Sequence, residues 1–322
     1  MKKIMPVILI LSLCLMPVQI QAKSVTSGTD NNGNKWTYNT STKTLTFTGD
    51  KAISDFTLNG HDREPSWYRW SNKTEHIVIE EGITGVGSEA FAGFVKVLSV
   101  NIPYTVKKIK RSSFENNYRL REIQIPNEVI SIGDKAFAGC YGLKNLSLPS
   151  KLNYVGSLEF CRNIKSISLP DSIKDTADGM FTGCEMLTSV KLPRKLKAIK
   201  SYDFADCRKL TKLNIPVTVK VVYMSAFAGS GLKKIVLPSN VQKIRNGNDG
   251  QKVFEYIKGI GHPTKNLRVI EIHSKKVKSI QKNSFSGLSS KVVIKVPKSK
   301  KKKYTKMLRK SGLSKKVKIC NL

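Results

Sequence analysis

The chain has 322 residues, with 56 Lys and Arg against 23 Asp and Glu, which gives a formal net charge of +33. Apolar residues make up 40% of it, enough to build a buried core, so a folded protein is expected rather than a disordered one. So positive a charge attracts polyanions whatever the fold.

Residues 1–22 are predicted to be a secretory signal peptide. Lys2 and Lys3 form the charged start, residues 4–16 the apolar centre, and Ala22 the small residue at the cleavage point. Cys14 raises the alternative of a lipid anchor, but Leu13 precedes it, where lipoprotein signals need a small residue. We expect export to the cell surface or the medium, with the periplasm as a further destination, and export disfavours nucleic acid as a partner. No later apolar run is long enough to span a membrane.

Residues 23–75 lack the repeat that follows and are predicted to form an N-terminal cap. Alternating residues at 36–38 and 44–48 indicate two strands. All three tryptophans, Trp36, Trp67 and Trp70, lie in this segment. They suit either a cap that covers the first coil or an aromatic surface that binds a carbohydrate or a partner. We favour the cap, because the end repeats of solenoids need closure.

Residues 76–297 carry one repeated pattern, F-x-x-C-x-x-L-x-x-I-x-L-P. Its first position recurs at steps of 23, 23, 21, 23, 23 and 23 residues. The residues at that position are Phe91, Phe114, Phe137, Leu158, Phe181, Phe204 and Phe227. A fixed period of this size is typical of a solenoid, in which stacked coils share one core. The alternating apolar residues before each proline predict one parallel strand per repeat, since proline has no N–H to give to the ladder.

Each predicted strand leaves one side chain that points away from the core. These outward residues form a candidate binding row: Asn101, Gln124, Ser147, Ser168, Lys191 and Asn214. The row continues through Val236, Glu271 and Lys295. Because the row is mainly small and neutral, the basic residues must lie mostly on the flanks, the turns and the C-terminal end.

The pattern loosens at residues 245–266, where glycine- and asparagine-rich sequence is added. Insertions in solenoids become loops on one face, often the binding face. A surface insertion without a role explains the same sequence equally well, and both readings stay open.

Cys140, Cys161, Cys184 and Cys207 share one repeat position and are predicted to stack in a column. Their spacings of 21 and 23 residues do not fit a zinc site. Buried free thiols are favoured over bridges between coils, although a bridge is not geometrically excluded. The four histidines show neither metal nor triad spacing. We therefore predict no catalytic residues, no metal, no cofactor and no enzymatic activity.

Residues 298–322 contain 11 Lys and Arg and no acid, and are predicted to form a basic C-terminal cap. Tyr304, Met307 and Leu308 share one face of a predicted short helix. The residues of this candidate basic patch are Lys300, Lys301, Lys302, Lys303, Lys306, Arg309 and Lys310.

The repeat A-F-x-x-C-x-x-L-x-x-I-x-L-P resembles that of the BspA-type leucine-rich repeat proteins found on bacterial surfaces, and the resemblance spans residues 76–297. It implies a right-handed leucine-rich-repeat solenoid, either an α/β horseshoe or mainly β. It also implies binding, often adhesion to host proteins, and no catalysis.

Two functions follow as hypotheses. The first is an adhesin-like protein that binds host matrix proteins, or proteins of host or neighbouring cells, through the solenoid surface. The alternative is a module that binds a polyanion, such as a glycosaminoglycan, another acidic polysaccharide or lipopolysaccharide, through its basic surface.

Overall fold

The computed structural model describes residues 25–57, 65–247 and 264–322. These residues form a mainly-β solenoid of stacked parallel coils. The predicted leucine-rich-repeat solenoid is confirmed, and the mainly-β form applies. The predicted signal peptide and residues 248–263 of the irregular segment lie outside the described residues.

The described elements are short strands, three 3₁₀ turns and one helix. The strands are β1 (Val25–Thr29), β2 (Lys35–Asn39), β3 (Thr44–Thr48), β4 (His76–Ile79), β5 (Gly85–Val86), β6 (Ser99–Asn101), β7 (Lys108–Ile109), β8 (Glu122–Ile123), β9 (Ser131–Ile132), β10 (Tyr154–Val155), β11 (Ser166–Ser168), β12 (Ser189–Lys191), β13 (Ala198–Ile199), β14 (Val221–Tyr223), β15 (Lys234–Leu237), β16 (Lys243–Arg245), β17 (Val269–Ile272), β18 (Ser279–Ile280), β19 (Val293–Val296) and β20 (Lys318–Asn321). The turns are Tyr68–Trp70, Met224–Phe227 and Lys298–Lys300, and the helix is α1 (Lys301–Lys310).

The coils contribute to two parallel ladders, each interrupted where a coil has no assigned strand, whereas the sequence predicted one ladder. The first ladder follows the predicted strands, through β4, β6 and β8, then β11 and β12, then β15, β17, β19 and β20. The second ladder runs through β5, β7, β9 and β10, then through β13, β14, β16 and β18. Most strands of the second ladder are two residues long, too short to show an alternating pattern in the sequence.

A third set of hydrogen bonds joins the coils at the phenylalanine position. The N–H of Phe114 donates to the carbonyl of Ala136 in the next coil at 2.9 Å, and Phe181 and Phe204 make the equivalent bond. In most coils the residues two before and two after the phenylalanine have left-handed backbones, such as Gly139 with φ of 70°. Glycine recurs there because it adopts this conformation at little cost.

The phenylalanines pack in two stacks inside the solenoid. Phe91, Phe114 and Phe137 stack with ring centroids 5.4 and 5.5 Å apart. Phe181, Phe204 and Phe227 form the second stack, at 5.7 and 6.4 Å. Leu158 separates the two stacks, in the step of 21 residues.

The tryptophans pack at the N-terminal end of the solenoid. Trp36 and Trp67 are 1% and 0% exposed, and the indole N–H of Trp67 donates to the carbonyl of Ala90 at 3.0 Å. Trp70 is partly buried and stacks on Tyr38 at 4.3 Å. The alternative of an aromatic binding surface is therefore wrong for Trp36 and Trp67, whose rings are buried in the core.

Candidate functional site

The first ladder presents the outward row predicted from the sequence. All six of its candidate residues are exposed. Register pairs Asn101 with Val78 of the preceding coil, and Ser168 with Lys191 of the next. The row therefore presents one residue per coil on the surface. We call this row, together with the second outward column described next, the sheet face.

The sequence analysis missed a second outward column, two residues before the first. It contains Ser99, Glu122, Asn145, Ser166 and Ser189. The period of two along a strand puts residues i and i+2 on one face, so the signal was present in the sequence. The two columns together make the sheet face about twice as wide as the predicted row.

Two open depressions lie on the sheet face. One, of about 730 Å³, is lined by Ser147, Ser168 and Lys191 of the predicted row and by Ser166 and Ser189 of the second column. The other, of about 540 Å³, brings together Asn101 and Gln124. Asn214 lies further along the face, in a coil without an assigned strand. Such hydroxyl and amide groups donate and accept hydrogen bonds, which suits contact with a protein surface.

Helix α1 places the predicted basic patch at the end of the solenoid. Tyr304 and Leu308 are buried, and the Tyr304 hydroxyl accepts the N–H of Val277 and donates to the carbonyl of Ser274, both at 3.0 Å. This anchors the helix on the last coils. Five of the predicted residues are exposed, namely Lys301, Lys302, Lys303, Lys306 and Lys310.

The other two residues of the basic patch are less available. Lys300 is half-buried. Arg309 is half-buried too, and its guanidinium donates to the carbonyl of Val317 at 2.8 Å and to that of Ser314. Arg309 therefore stabilises the segment that follows α1. The sequence, in which it is one of many basic residues, does not indicate this role.

The predicted cysteine column is a ladder of buried thiols. Cys140, Cys161, Cys184 and Cys207 are free and fully buried. Each thiol donates to a carbonyl of the preceding coil, as Cys161 does to Phe137 at 3.1 Å. Burial raises the pKa of Cys161 to about 12 and raises that of the other three as well. These thiols are packing groups, because the reactive form is the thiolate.

One buried carboxylate stands among basic side chains on the sheet face. Glu271 is 8% exposed and lies 3.0 Å from Lys234, 3.5 Å from Lys295 and 3.0 Å from His273. Burial raises the pKa of Glu271, but the hydrogen bonds from His273 and Lys234 and the nearby lysine charges outweigh it and lower that pKa to about 2. The carboxylate therefore stays ionised and holds three coils together.

Neither a metal centre nor a membrane span is visible in the described ranges. Within residues 25–57, 65–247 and 264–322, no group of three or more His, Cys, Asp or Glu is placed to hold a metal ion. The helices of the same ranges are all too short or too polar to cross a bilayer.

Comparison with solved structures gives the same architecture. A leucine-rich repeat protein from Bacteroides ovatus is 23% identical, over 89% of this chain and 77% of that one, with a TM-score of 0.60. Another, from Eubacterium ventriosum, is 18% identical, over 85% and 78% of the two chains, with a TM-score of 0.58. At these identities the likeness concerns the fold alone. Among curated proteins, no match is found.

Sequence comparison covers the repeats and both flanks of them. Residues 64–162, 157–260 and 262–321 match the BspA type leucine rich repeat region in six copies. Since these stretches make up most of the sequence, and the stacked coils agree with them, the chain belongs to the BspA-type leucine-rich repeat family.

Proposed function

We propose that this is an exported, adhesin-like binding protein that recognises a protein of host matrix, or of a host or neighbouring cell, through the sheet face. The proposal is supported by membership of a leucine-rich repeat family and by the signal peptide expected at residues 1–22. Binding rather than catalysis fits the described residues, because the only clustered thiols are buried and protonated.

The observation that carries the proposal is the double column of outward residues. Paired strands hold the backbone of most of these residues in place, so little backbone entropy is lost when a partner binds. The serines of the 730 Å³ depression are short and leave the floor of the sheet accessible. A partner with complementary projecting side chains can therefore approach the backbone closely.

Filling the depression tests the proposal. The variant Ser147→Trp/Ser168→Trp should lower the affinity of residues 23–322 for its partner among immobilised extracellular matrix proteins by about tenfold or more, because two large side chains would prevent the close approach. Measuring in about 1 M salt screens contacts made by exposed charges. Asn153→Trp is the matched control, since Asn153 is exposed in the same coil but follows the proline turn. Equal affinities for both variants and the unmodified chain would refute a site on the sheet face.

A second candidate function, polyanion binding at the C-terminal end, is favoured by the charge distribution. Residues 193–247 and 264–322 contain 31 Lys and Arg but only three acids. Those acids are Asp203, Asp206 and Glu271, all buried. The remaining described residues, 25–57 and 65–192, contain 19 Lys and Arg and 16 acids. We infer that a glycosaminoglycan or lipopolysaccharide would meet exposed cations but no exposed acid on the described residues of the C-terminal half.

Helix α1 adds a local argument for this candidate. Lys301, Lys302 and Lys303 occupy its first turn, which contains no acid. Cations there oppose the helix dipole, at a cost of about 0.3–1 kcal/mol each. A bound anion would offset that cost. Changing Lys300, Lys301, Lys302 and Lys303 to Gln should therefore weaken retention on heparin and leave the high-salt matrix interaction intact. Unchanged heparin retention would remove the basic patch as a site.

A further inference from the structure

A row of lysines crosses consecutive coils at the start of the second ladder. The N–H of Lys220 donates to the carbonyl of Lys197 at 2.8 Å. The N–H of Gln242 donates to the carbonyl of Lys220, and that of Lys278 to the carbonyl of Gln242, each also at 2.8 Å. These bonds fix Lys197, Lys220, Gln242 and Lys278 in one line along the solenoid axis, one residue per coil.

Further lysines flank this line. Lys243 follows Gln242 and pairs with Val221 and Ser279 of the adjacent coils. Lys195 and Lys276 lie two residues before Lys197 and Lys278. We call the exposed set the lysine track: Lys195, Lys197, Lys220, Lys243, Lys276 and Lys278. The proline turn of each coil separates it from the sheet face.

The charges of the lysine track are not neutralised within the described part of the chain. None of its six residues makes a salt bridge there, and the ammonium group of Lys276 donates to the side chain of Asn240 instead. Two acids of the preceding coil are occupied, because Asp171 binds Arg194 at 2.7 Å and Asp175 binds Lys200 at 2.9 Å. The track begins after these ion pairs and runs into the coils whose acids are all buried.

The lysines of the track are close enough for their charges to interact. Adjacent coils of a parallel ladder are about 4.8 Å apart, so neighbouring lysines repel one another. The bonds of Tyr304 to Ser274 and Val277 hold α1 against the same coil as Lys276 and Lys278. Helix α1 and its exposed lysines therefore pack beside the C-terminal end of the track.

We propose that the lysine track binds a linear sulfated polysaccharide that lies along the solenoid axis. Cations on four coils, with Lys243 beside Gln242 in the third, match anions repeated along an extended chain better than they match a single headgroup. Lysine suits such a ligand because its flexible stem adjusts a compact charge to sulfates of variable position. This inference rests on the second candidate function. It assigns polysaccharide contacts to the lysine track in addition to those of the basic patch.

Two variants that lose the same number of charges, one on the lysine track and one away from it, test the proposal. Changing Lys197, Lys220 and Lys243 to Gln removes three charges from the track. The control variant changes Lys209, Lys212 and Lys233 to Gln. It removes three exposed charges from the same half of the chain, at positions on the sheet face or just before it in the sequence, and so outside the track. We expect the track variant of residues 23–322 to lose about tenfold or more in affinity for a heparin fragment, and the control variant less than about threefold.

The salt dependence of heparin binding, and its dependence on fragment length and sulfation, provide further tests. The slope of log affinity against log salt should fall by about three for the track variant, about one per lysine, and should change little for the control. Affinity should rise with fragment length and disappear with desulfated heparin. Circular dichroism of each variant verifies the fold.

The possible failures are distinguishable. If the unmodified chain does not bind heparin, polyanion binding itself is refuted, and the lysine track with it. If it binds but the two variants lose affinity equally, net charge alone explains binding and only the track is refuted. Tighter binding to vesicles containing lipopolysaccharide than to heparin, with the same variant pattern, would overturn the sulfated polysaccharide as its ligand.

Discussion

Replacing Phe114 by Ala should destabilise the solenoid more than replacing Phe137. Both side chains are 0% exposed, so each change opens a cavity and costs about 3–5 kcal/mol of unfolding free energy. Phe114 is stacked on both sides, at 5.4 Å from Phe91 and 5.5 Å from Phe137. Phe137 has a ring on one side only, because Leu158 occupies the next coil. One aromatic pair adds about 0.5–1.5 kcal/mol, so Phe114→Ala should cost about 1 kcal/mol more.

Urea denaturation followed by circular dichroism measures this difference as a shift in midpoint at unchanged slope. Hydrogen exchange of the coils on either side then locates the loss, since stability in repeat proteins depends on neighbouring units. Tyr154→Ala, at a residue that is 39% exposed, is the control and should stay within about 0.5 kcal/mol of the unmodified chain. Equal losses for the two phenylalanines, or a larger loss for Phe137→Ala, would refute the stacking argument.

Three further predictions concern single coils. The folded-state pKa of Glu271 is lowered from 4.5 to about 2, so its contribution to stability is complete above pH 4.5 and is lost as the pH falls towards 2. Thermal melting should therefore show the deficit of Glu271→Gln shrinking across that window. A thiol reagent should modify only the half-buried Cys320 in the folded residues 23–322, and five cysteines after denaturation. Gly183→Ala should cost about 2 kcal/mol, because φ is 69° and the new Cβ would lie 2.5 Å from the ring of Phe160. In a Phe160→Gly background, which removes the clash, that cost should fall to about 1 kcal/mol.

Each of these has a contrary outcome. A deficit of Glu271→Gln that stays constant between pH 4.5 and 2 would show that the carboxylate does not stabilise the fold through its charge. Rapid labelling of more than one thiol in the folded protein would contradict the buried cysteine column. An equal cost of Gly183→Ala in both backgrounds would leave only the backbone angle to explain it.

The sequence determined the architecture because one unit recurs at nearly constant spacing. A position such as Phe137 is read seven times, so a chance match is excluded and each coil predicts its neighbours. The same register predicted the outward row and the stacking of Cys161 on the coil before it. Those features depend only on the position within the repeat, which the sequence displays directly.

Other features depend on how the turns place residues that the repeat does not constrain. The second ladder has strands as short as the two residues of β7, Lys108–Ile109, in which no alternation of apolar and polar residues can be recognised. Arg309 is one of many basic residues in the C-terminal segment, and only the folded chain shows its guanidinium bound to carbonyls.

The lysine track shows where sequence reasoning ends. Lys197, Lys220 and Lys278 are separated by 23 and 58 residues, and other lysines lie between them. Lys278 joins the line only after the irregular segment, where the period is lost. The sequence by itself determined the coil and its inward side chains, because burial imposes a strict pattern on apolar residues. Only the tertiary structure decided which exposed charges become neighbours, since solvent-facing positions carry no such pattern and hydrogen bonds between coils set their register.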